Sequence, residues 1–337
     1  MPAKDTQPAA AATVHDAIEV YLASVALSRS GNTARTYRHA LRAFEAALRR
    51  NHVPPSKTPV LGASESWVAS FAADLKQRSP ATERLYLTAV AGWYDFLASE
   101  RLADVNQARV RMLIRQRARR PGQRLPQFPR SAIEQVLESV QAVPPARTDP
   151  AARLRDLRDR AFLLTLADTG LRVHEACRLR RGDVDWDEAQ ALLIGKGNRQ
   201  AVVRFSRRAL RTLQDYLKAR APLDGGSGRA LSALPLFARH DRGAGKRVMG
   251  MTTTTGRTIV NERVAQALGA EAVGTITPHS FRHYFVTVVL RGSGGNLKLA
   301  QELARHQSIA VTQRYAHLSD DELDRGYHDV FDSDREA

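Results

Sequence analysis

Four side chains within one stretch of this chain, His279, Arg282, His306 and Tyr315, have chemistry that makes sense together. A tyrosine hydroxyl among cations suits a phosphodiester: the phenol oxygen becomes a nucleophile once its proton is taken, and guanidinium and imidazole donors can hold the phosphate oxygens. His279 and Arg282 are three residues apart, so in a helix they share a face of the first turn, where free amides and the helix dipole already favour an anion. Thr277 and Pro278 supply that start. The threonine hydroxyl can serve an orphan amide, and proline at the first helical position needs no N–H. Phe285, Val288 and Val289 can then point into a core, and the glycines from Gly292 to Gly295 end the helix. Leu297, Ala300, Leu303 and Ala304 mark a second helix leading to His306, and Ser308 can cap a short helix carrying Tyr315. Taken singly, a histidine or tyrosine in a helix is more often a packing or surface residue. Only the combination points to phosphate chemistry.

The chain as a whole agrees with an anionic partner. Lys and Arg number 51 against 35 Asp and Glu in 337 residues, a net charge of +16. Such a field attracts polyanions and favours nucleic acid, although it says nothing about fold. The length allows two domains with cores of their own. Cys177 is the one cysteine, which excludes an internal disulfide and a cysteine-rich zinc site, as in a reducing compartment. There is no apolar run long enough for a membrane span, and Met1 to Ala12 lacks the basic start and apolar core of a signal peptide. The expectation is a cytoplasmic, nucleoid-associated protein without membrane contact, disordered over residues 1–12.

From Thr13 the pattern is helical, with Thr13 and Asp16 placed as a capping pair and Val14, Ile18, Tyr21, Leu22 and Val25 on one stripe. After Ser30, Gly31 and Asn32 comes a helix over 33–50 with two opposed stripes. Tyr37, Leu41, Phe44 and Leu48 are apolar, whereas Arg35, Arg38, Arg42 and Arg49 form a cationic face. A solvated face is the ordinary explanation for such a stripe; its near lack of acids favours contact with DNA phosphates. Two more helices follow, around Trp67, Phe71 and Leu75 and then from Pro80 to Leu97, so residues 13–112 read as a small helical DNA-binding domain. Residues 113–130 are dense in arginine, with three prolines and no acid. They read as a basic linker along a duplex, with Arg115, Arg117, Arg119 and Arg120 as phosphate contacts; a solubilising tether is the plainer alternative.

Residues 131–318 read as a second domain. Ser131 with Glu134 suggests a capping box, and Ile133, Val136, Leu137 and Val140 an apolar face. Leu154 to Asp168 is a strongly apolar helix, closed by Gly170 in a left-handed cap. Arg172 and Glu175 open the next helix on one face, at the spacing of an ion pair. Ala191 to Ile194 and Ala201 to Phe205 flank Gly195-Lys196-Gly197-Asn198-Arg199 as a β-hairpin. No GxxxxGK[ST] motif occurs, so these glycines are not a nucleotide-binding loop. Helices over 206–220 and 255–268 then flank a Gly-rich stretch, 221–251, read as a mobile loop. Over residues 319–337, Ser319 with Glu322 again suggests a capping box, and Leu323, Tyr327, Val330 and Phe331 an apolar stripe on a short tail helix.

The order arginine, lysine in a hairpin, His-x-x-Arg at a helix start, histidine, then tyrosine resembles the tyrosine recombinase (phage integrase) family. The strings that carry the resemblance are ADTGLRVHEACRLRRGDVDW (167–186), IGKGNRQAVV (194–203), ITPHSFRHYFVT (276–287) and LARHQSIAVTQRYAHL (303–318). With the helical N-terminal third it covers about residues 13–331. Each motif alone is weak; five in this order are specific. The resemblance implies a mainly α fold with a small β-sheet in the catalytic domain, two domains forming a clamp on double-stranded DNA. Tyr315 would attack the scissile phosphate to give a 3′-phosphotyrosyl bond, with Arg172 and Arg282 gripping its oxygens. Lys196 would protonate the leaving 5′-oxygen, and His279 would take the tyrosine proton or orient the phosphate. His306 would bond a phosphate oxygen, and Glu175 would support the site. It implies no metal and no other cofactor. It further implies a tetramer on two DNA sites, with the tail helix docking on a neighbouring subunit, and exchange through a Holliday junction. The short segment before the first helix suggests a simple layout of the Xer kind. Two departures stand out: Arg305 occupies the usual glycine position before the histidine, and Phe281 replaces a usual leucine. Two rivals remain: a type IB topoisomerase that relaxes supercoils with the same chemistry, and a non-catalytic DNA-binding regulator.

Overall fold

The computed structural model describes residues 12–119, 130–142, 149–194, 200–241, 243–245, 247–306 and 308–313. Two compact units divide the chain, Met1–Gln123 and Arg124–Ala337. The architecture is mainly α with one small antiparallel sheet.

The first unit is all helical: α1 (Val14–Ser28), α2 (Gly31–Arg50), α3 (Ser66–Asp74), α4 (Pro80–Ser99) and α5 (Gln107–Arg117). Short polar side chains start them. The Thr13 amide donates to Asp16 Oδ2 at 3.0 Å and the Asp16 amide to Thr13 Oγ1 at 3.2 Å, and Ser30, Ser79 and Asn106 accept from the first turns of α2, α4 and α5. The apolar stripes meet at Phe44, whose ring centroid lies 5.2 Å from Phe71 and 5.7 Å from Trp93. All three are buried, and truncating one aromatic here would cost about 3–5 kcal/mol.

The basic stretch after residue 112 begins differently from the linker expected there. α5 continues to Arg117, because Leu113 and Ile114 pack against the unit's core. Beyond it Arg119 turns inward to Glu83, a fully buried carboxylate on α4: Arg119 Nε lies 2.6 Å and Lys76 Nζ 2.7 Å from its oxygens, and the Arg119 amide donates at 3.0 Å. Burial pushes this carboxyl upward, but Lys76 and the Arg119 amide and guanidinium outweigh it and hold it below the usual range. The ion pair spans 36 residues and leaves no periodic trace in the sequence.

The second unit contains α6 (Arg130–Gln141), α7 (Pro150–Thr169), α8 (Val173–Arg178), β1 (Val184–Asp185), β2 (Gln190–Ile194), β3 (Gln200–Arg204), α9 (Arg207–Gly225), α10 (Thr253–Leu268), α11 (Pro278–Gly292), α12 (Leu297–Ala304) and α13 (Ile309–Gln313). Its centre is α7, buried nearly all round and packed on α6, α9 and α11. The sheet runs β1-β2-β3, all antiparallel. Ala191 pairs with Val203 on the buried face, and Leu192 pairs with Val202 on the exposed one, the period-two pattern of a half-buried hairpin. β1, only two residues long, carries no alternation from which it could be read.

Three local expectations are corrected. Ser131 does not cap α6, which already starts at Arg130; Glu134 instead accepts from Arg130 Nε at 2.8 Å, one turn away. Val288 is exposed, while Phe285 and Val289 pack inward. The stretch 221–251 is packed and not a mobile loop: α9 runs through Pro222 to Gly225, and Leu234, Leu236, Phe237 and Ala238 are buried. Arg220 ties it down. Its fully buried guanidinium donates to Asp224, Tyr216 Oη and the carbonyls of Pro235 and Leu236, all within 3.0 Å.

Candidate active site

The site is built where α7 ends. Gly170 takes the left-handed conformation, φ 60° and ψ 21°, and closes the helix as expected. Its missing side chain is needed twice: a Cβ there would be strained at that φ and would lie 2.4 Å from the Phe285 ring. Gly170→Ala is therefore expected to lower stability by about 2–4 kcal/mol, from the positive φ and the overpacked ring, and an unchanged urea midpoint would contradict this packing.

Two residues on, Arg172 precedes the first turn of α8. The spacing of three delivers the expected pair: Arg172 Nη1 lies 2.9 Å from Glu175 Oε1, and the Arg172 amide donates to Oε2 at 2.8 Å. Arg172 stays exposed. Glu175 is largely buried and also accepts from Arg305 Nη2 at 3.1 Å. Burial pushes the Glu175 carboxyl up; the Arg172 amide, the Arg305 charge and the Arg172 guanidinium prevail and hold it below the usual carboxylate range.

Arg282 stands in the first turn of α11 and is 2% exposed. It donates through Nη1 to the Gly170 carbonyl at 2.5 Å and through Nη2 to the Ala304 carbonyl. One guanidinium thus joins the end of α7 to the end of α12, and these backbone acceptors fix where its charge stands. Sequence alone gave no sign of either carbonyl. The turn that carries it is organised by Ser280, whose hydroxyl accepts from the Thr277 amide at 3.0 Å; the threonine hydroxyl makes no helix-capping bond of its own to an amide.

His306 follows α12 directly. Its Nδ1 lies 2.9 Å from the hydroxyl of Thr312, a buried residue of α13, so Nδ1 is the engaged ring nitrogen. Burial, and then the charges of Arg282 and Arg172, push His306 down to about 4. His279 is also lowered, by burial and the same two arginines. Its ring meets that of His283 edge-on at 4.2 Å, and His283 is pushed down to about 4 by burial and the neighbouring His279, Arg282 and His306. In all three the protonated form is thus disfavoured.

Arg172, Glu175, Arg282, Arg305, His279 and His306 are therefore linked by hydrogen bonds and mutual fields around the joined ends of α7, α11 and α12. Lys196 and Tyr315 lie outside the described residues, as do Arg120 and the tail helix over 319–337; the hairpin strands that flank Lys196 are in place. On the first unit Arg35, Arg38, Arg42 and Arg49 are exposed on α2, as are Arg115 and Arg117 on α5, whereas Arg119 is engaged with Glu83. Cys177 is buried, its thiol pushed up to about 11 by burial and donating to the Thr252 carbonyl at 3.4 Å, a core residue. No helix among the described residues is long and apolar enough to cross a membrane.

The chain is 29% identical over 309 residues to tyrosine recombinase XerD of Mycobacterium tuberculosis (strain ATCC 25618 / H37Rv), covering 88% of this chain and 91% of that one. It is 36% identical over 167 residues to tyrosine recombinase XerC of Pelobacter propionicus (strain DSM 2379 / NBRC 103807 / OttBd1), half of each chain. Its fold is similar to that of the XerH site-specific recombinase solved bound to palindromic difH substrate in a post-cleavage complex, with a TM-score of 0.68 and 17% identity over 94% of this chain and 84% of that one. The model of the phage integrase family matches residues 135–322, more than half the chain and all of the motifs above. The chain belongs to the phage integrase family of tyrosine recombinases, enzymes that cut and rejoin DNA strands in site-specific recombination.

Proposed function

We propose that this chain exchanges DNA strands between two recombination sites through a 3′-phosphotyrosyl intermediate and a Holliday junction. The observation that carries the reading is the bond from Arg282 to the Gly170 carbonyl, which holds this guanidinium beside the chain turn that carries Arg172 two residues later, with His279 and His306 in the field of both arginines. Two guanidinium groups can grip non-bridging phosphate oxygens with two N–H donors each, a geometry lysine lacks. Their fixed charge stabilises the pentavalent transition state, a contribution of about 3 kcal/mol for each well-placed donor.

The Tyr315 oxygen bonds to phosphorus while its proton passes to His279. The bond from phosphorus to the 5′-oxygen breaks, and Lys196 gives that oxygen a proton. His306, held by Thr312 through Nδ1, donates from Nε2 to a phosphate oxygen. A 5′-hydroxyl from the other duplex then attacks the phosphorus, its proton passing to Lys196; the bond to Tyr315 breaks and its oxygen takes a proton back from His279, so a phosphodiester is restored, ester energy is retained and no ATP is used. The exposed arginines of α2, with Arg115 and Arg117, follow the phosphate backbone of double-stranded DNA. Residues 13–119 and 130–318 act as the two domains of the enzyme, the stretch between them connects them, and the segment 319–337 joins subunits in a tetramer on two sites.

The test is a supercoiled plasmid carrying two copies of a duplex selected for binding from a random-sequence pool, incubated with the full chain in EDTA. Two product circles, each with one site, are the expected result, undiminished by the chelator because fixed guanidinium charges do the work of a cation. Relaxed plasmid without product circles would instead indicate a type IB topoisomerase, and unchanged plasmid a DNA-binding regulator.

A further inference from the structure

Arg305 carries two features that are unfavourable for an arginine. It ends α12 in the left-handed conformation, φ 57° and ψ 45°, a place that suits glycine better than any residue with a Cβ. Its Nη1 is buried without a hydrogen-bond partner among the described residues, although its side chain is only 13% exposed. Strain and an unpaired donor retained together beside an active site call for a functional explanation.

The explanation lies in the carboxylate it reaches. Glu175 Oε1 faces Arg172 Nη1 at 2.9 Å, and Oε2 faces both the Arg172 amide at 2.8 Å and Arg305 Nη2 at 3.1 Å. One negative charge is thus shared between two guanidinium groups. Left to Arg172 alone, Glu175 would cancel the charge that the phosphate is to meet; with Arg305 present, the trio keeps one net positive charge. That charge is offered by the more exposed member, since the Arg172 side chain is 45% exposed against 13% for Arg305. We propose that Arg305 is a positioning residue, which neutralises Glu175 so that Arg172 delivers its full charge to the scissile phosphate. The role rests on the function proposed above.

Single-turnover cleavage of a nicked duplex, selected for binding as above, separates this role from a merely structural one. Arg305→Gly relieves the positive φ, so it is expected to melt at or above the wild-type temperature and yet to cleave about tenfold more slowly, less than the hundredfold or more that accompanies loss of a direct donor. Adding Glu175→Gln to that variant removes the uncompensated charge while retaining an oxygen for the Arg172 amide, and should restore most of the rate. Arg305→Lys, which keeps the charge, should cleave faster than Arg305→Gly. Wild-type cleavage with an unimpaired Arg305→Gly would overturn the role alone, as would a double variant slower than the single one. No cleavage by the wild-type chain would overturn both the role and the function on which it rests.

Discussion

Arg282→Ala is expected to slow strand cleavage by about 100- to 1,000-fold, the loss that goes with one preorganised donor to a developing charge. It should also destabilise the second unit by about 3 kcal/mol, because the carbonyls of Gly170 and Ala304 would lose the donor they now share in a buried place. The two effects have different origins and can be separated. Arg282→Lys keeps the charge but, with a single nitrogen, cannot present a planar fork to a phosphate while bonding carbonyls on two elements. It should regain part of the stability and little of the rate. Urea midpoints give the first quantity and single-turnover rates, measured at a temperature where each variant is fully folded, give the second. Cleavage by folded Arg282→Ala at the wild-type rate would reduce Arg282 to a structural strut.

The second large effect is expected at Tyr315. Phenylalanine keeps the ring and removes only the oxygen that would bond to phosphorus, so covalent joining to DNA should vanish while affinity for the same duplex stays near the wild-type value. That split would follow from chemistry and not from packing: in the proposed step the histidines move protons or bond the phosphate, and Cys177 is buried with its thiol pushed up to about 11. Loss of binding in parallel with loss of joining would point to a folding defect instead.

What could be read in advance depended on the range of the interaction. Gly170 announced its left-handed cap, because glycine after a long apolar run has one common use there, and φ 60° is what the chain adopts. Arg172 and Glu175 announced their pair through a spacing of three, and the hairpin its strands through two short apolar runs on either side of its glycines. Contacts between distant residues left no such mark. Arg119 reads as one more linker arginine until Glu83 is found buried beside it, and 221–251 reads as loose from its glycines until Arg220 is seen bonding the carbonyls of Pro235 and Leu236. Arg305 was visible as a departure from a familiar pattern, but its partner Glu175 lies 130 residues away, beyond any periodicity. Local backbone rules therefore located the site, while side-chain reach across the fold decided how its charges are held.

The central claim is that Tyr315 carries the DNA. Its most direct test is to trap the full-length protein on a nicked duplex that prevents religation, denature it, digest the adduct with trypsin and locate the linked residue by mass spectrometry. The account requires one peptide bonded through Tyr315 to a 3′-phosphate, and none from Tyr315→Phe. A 5′-linked product, a bond to another residue, or an adduct that persists in Tyr315→Phe would contradict it.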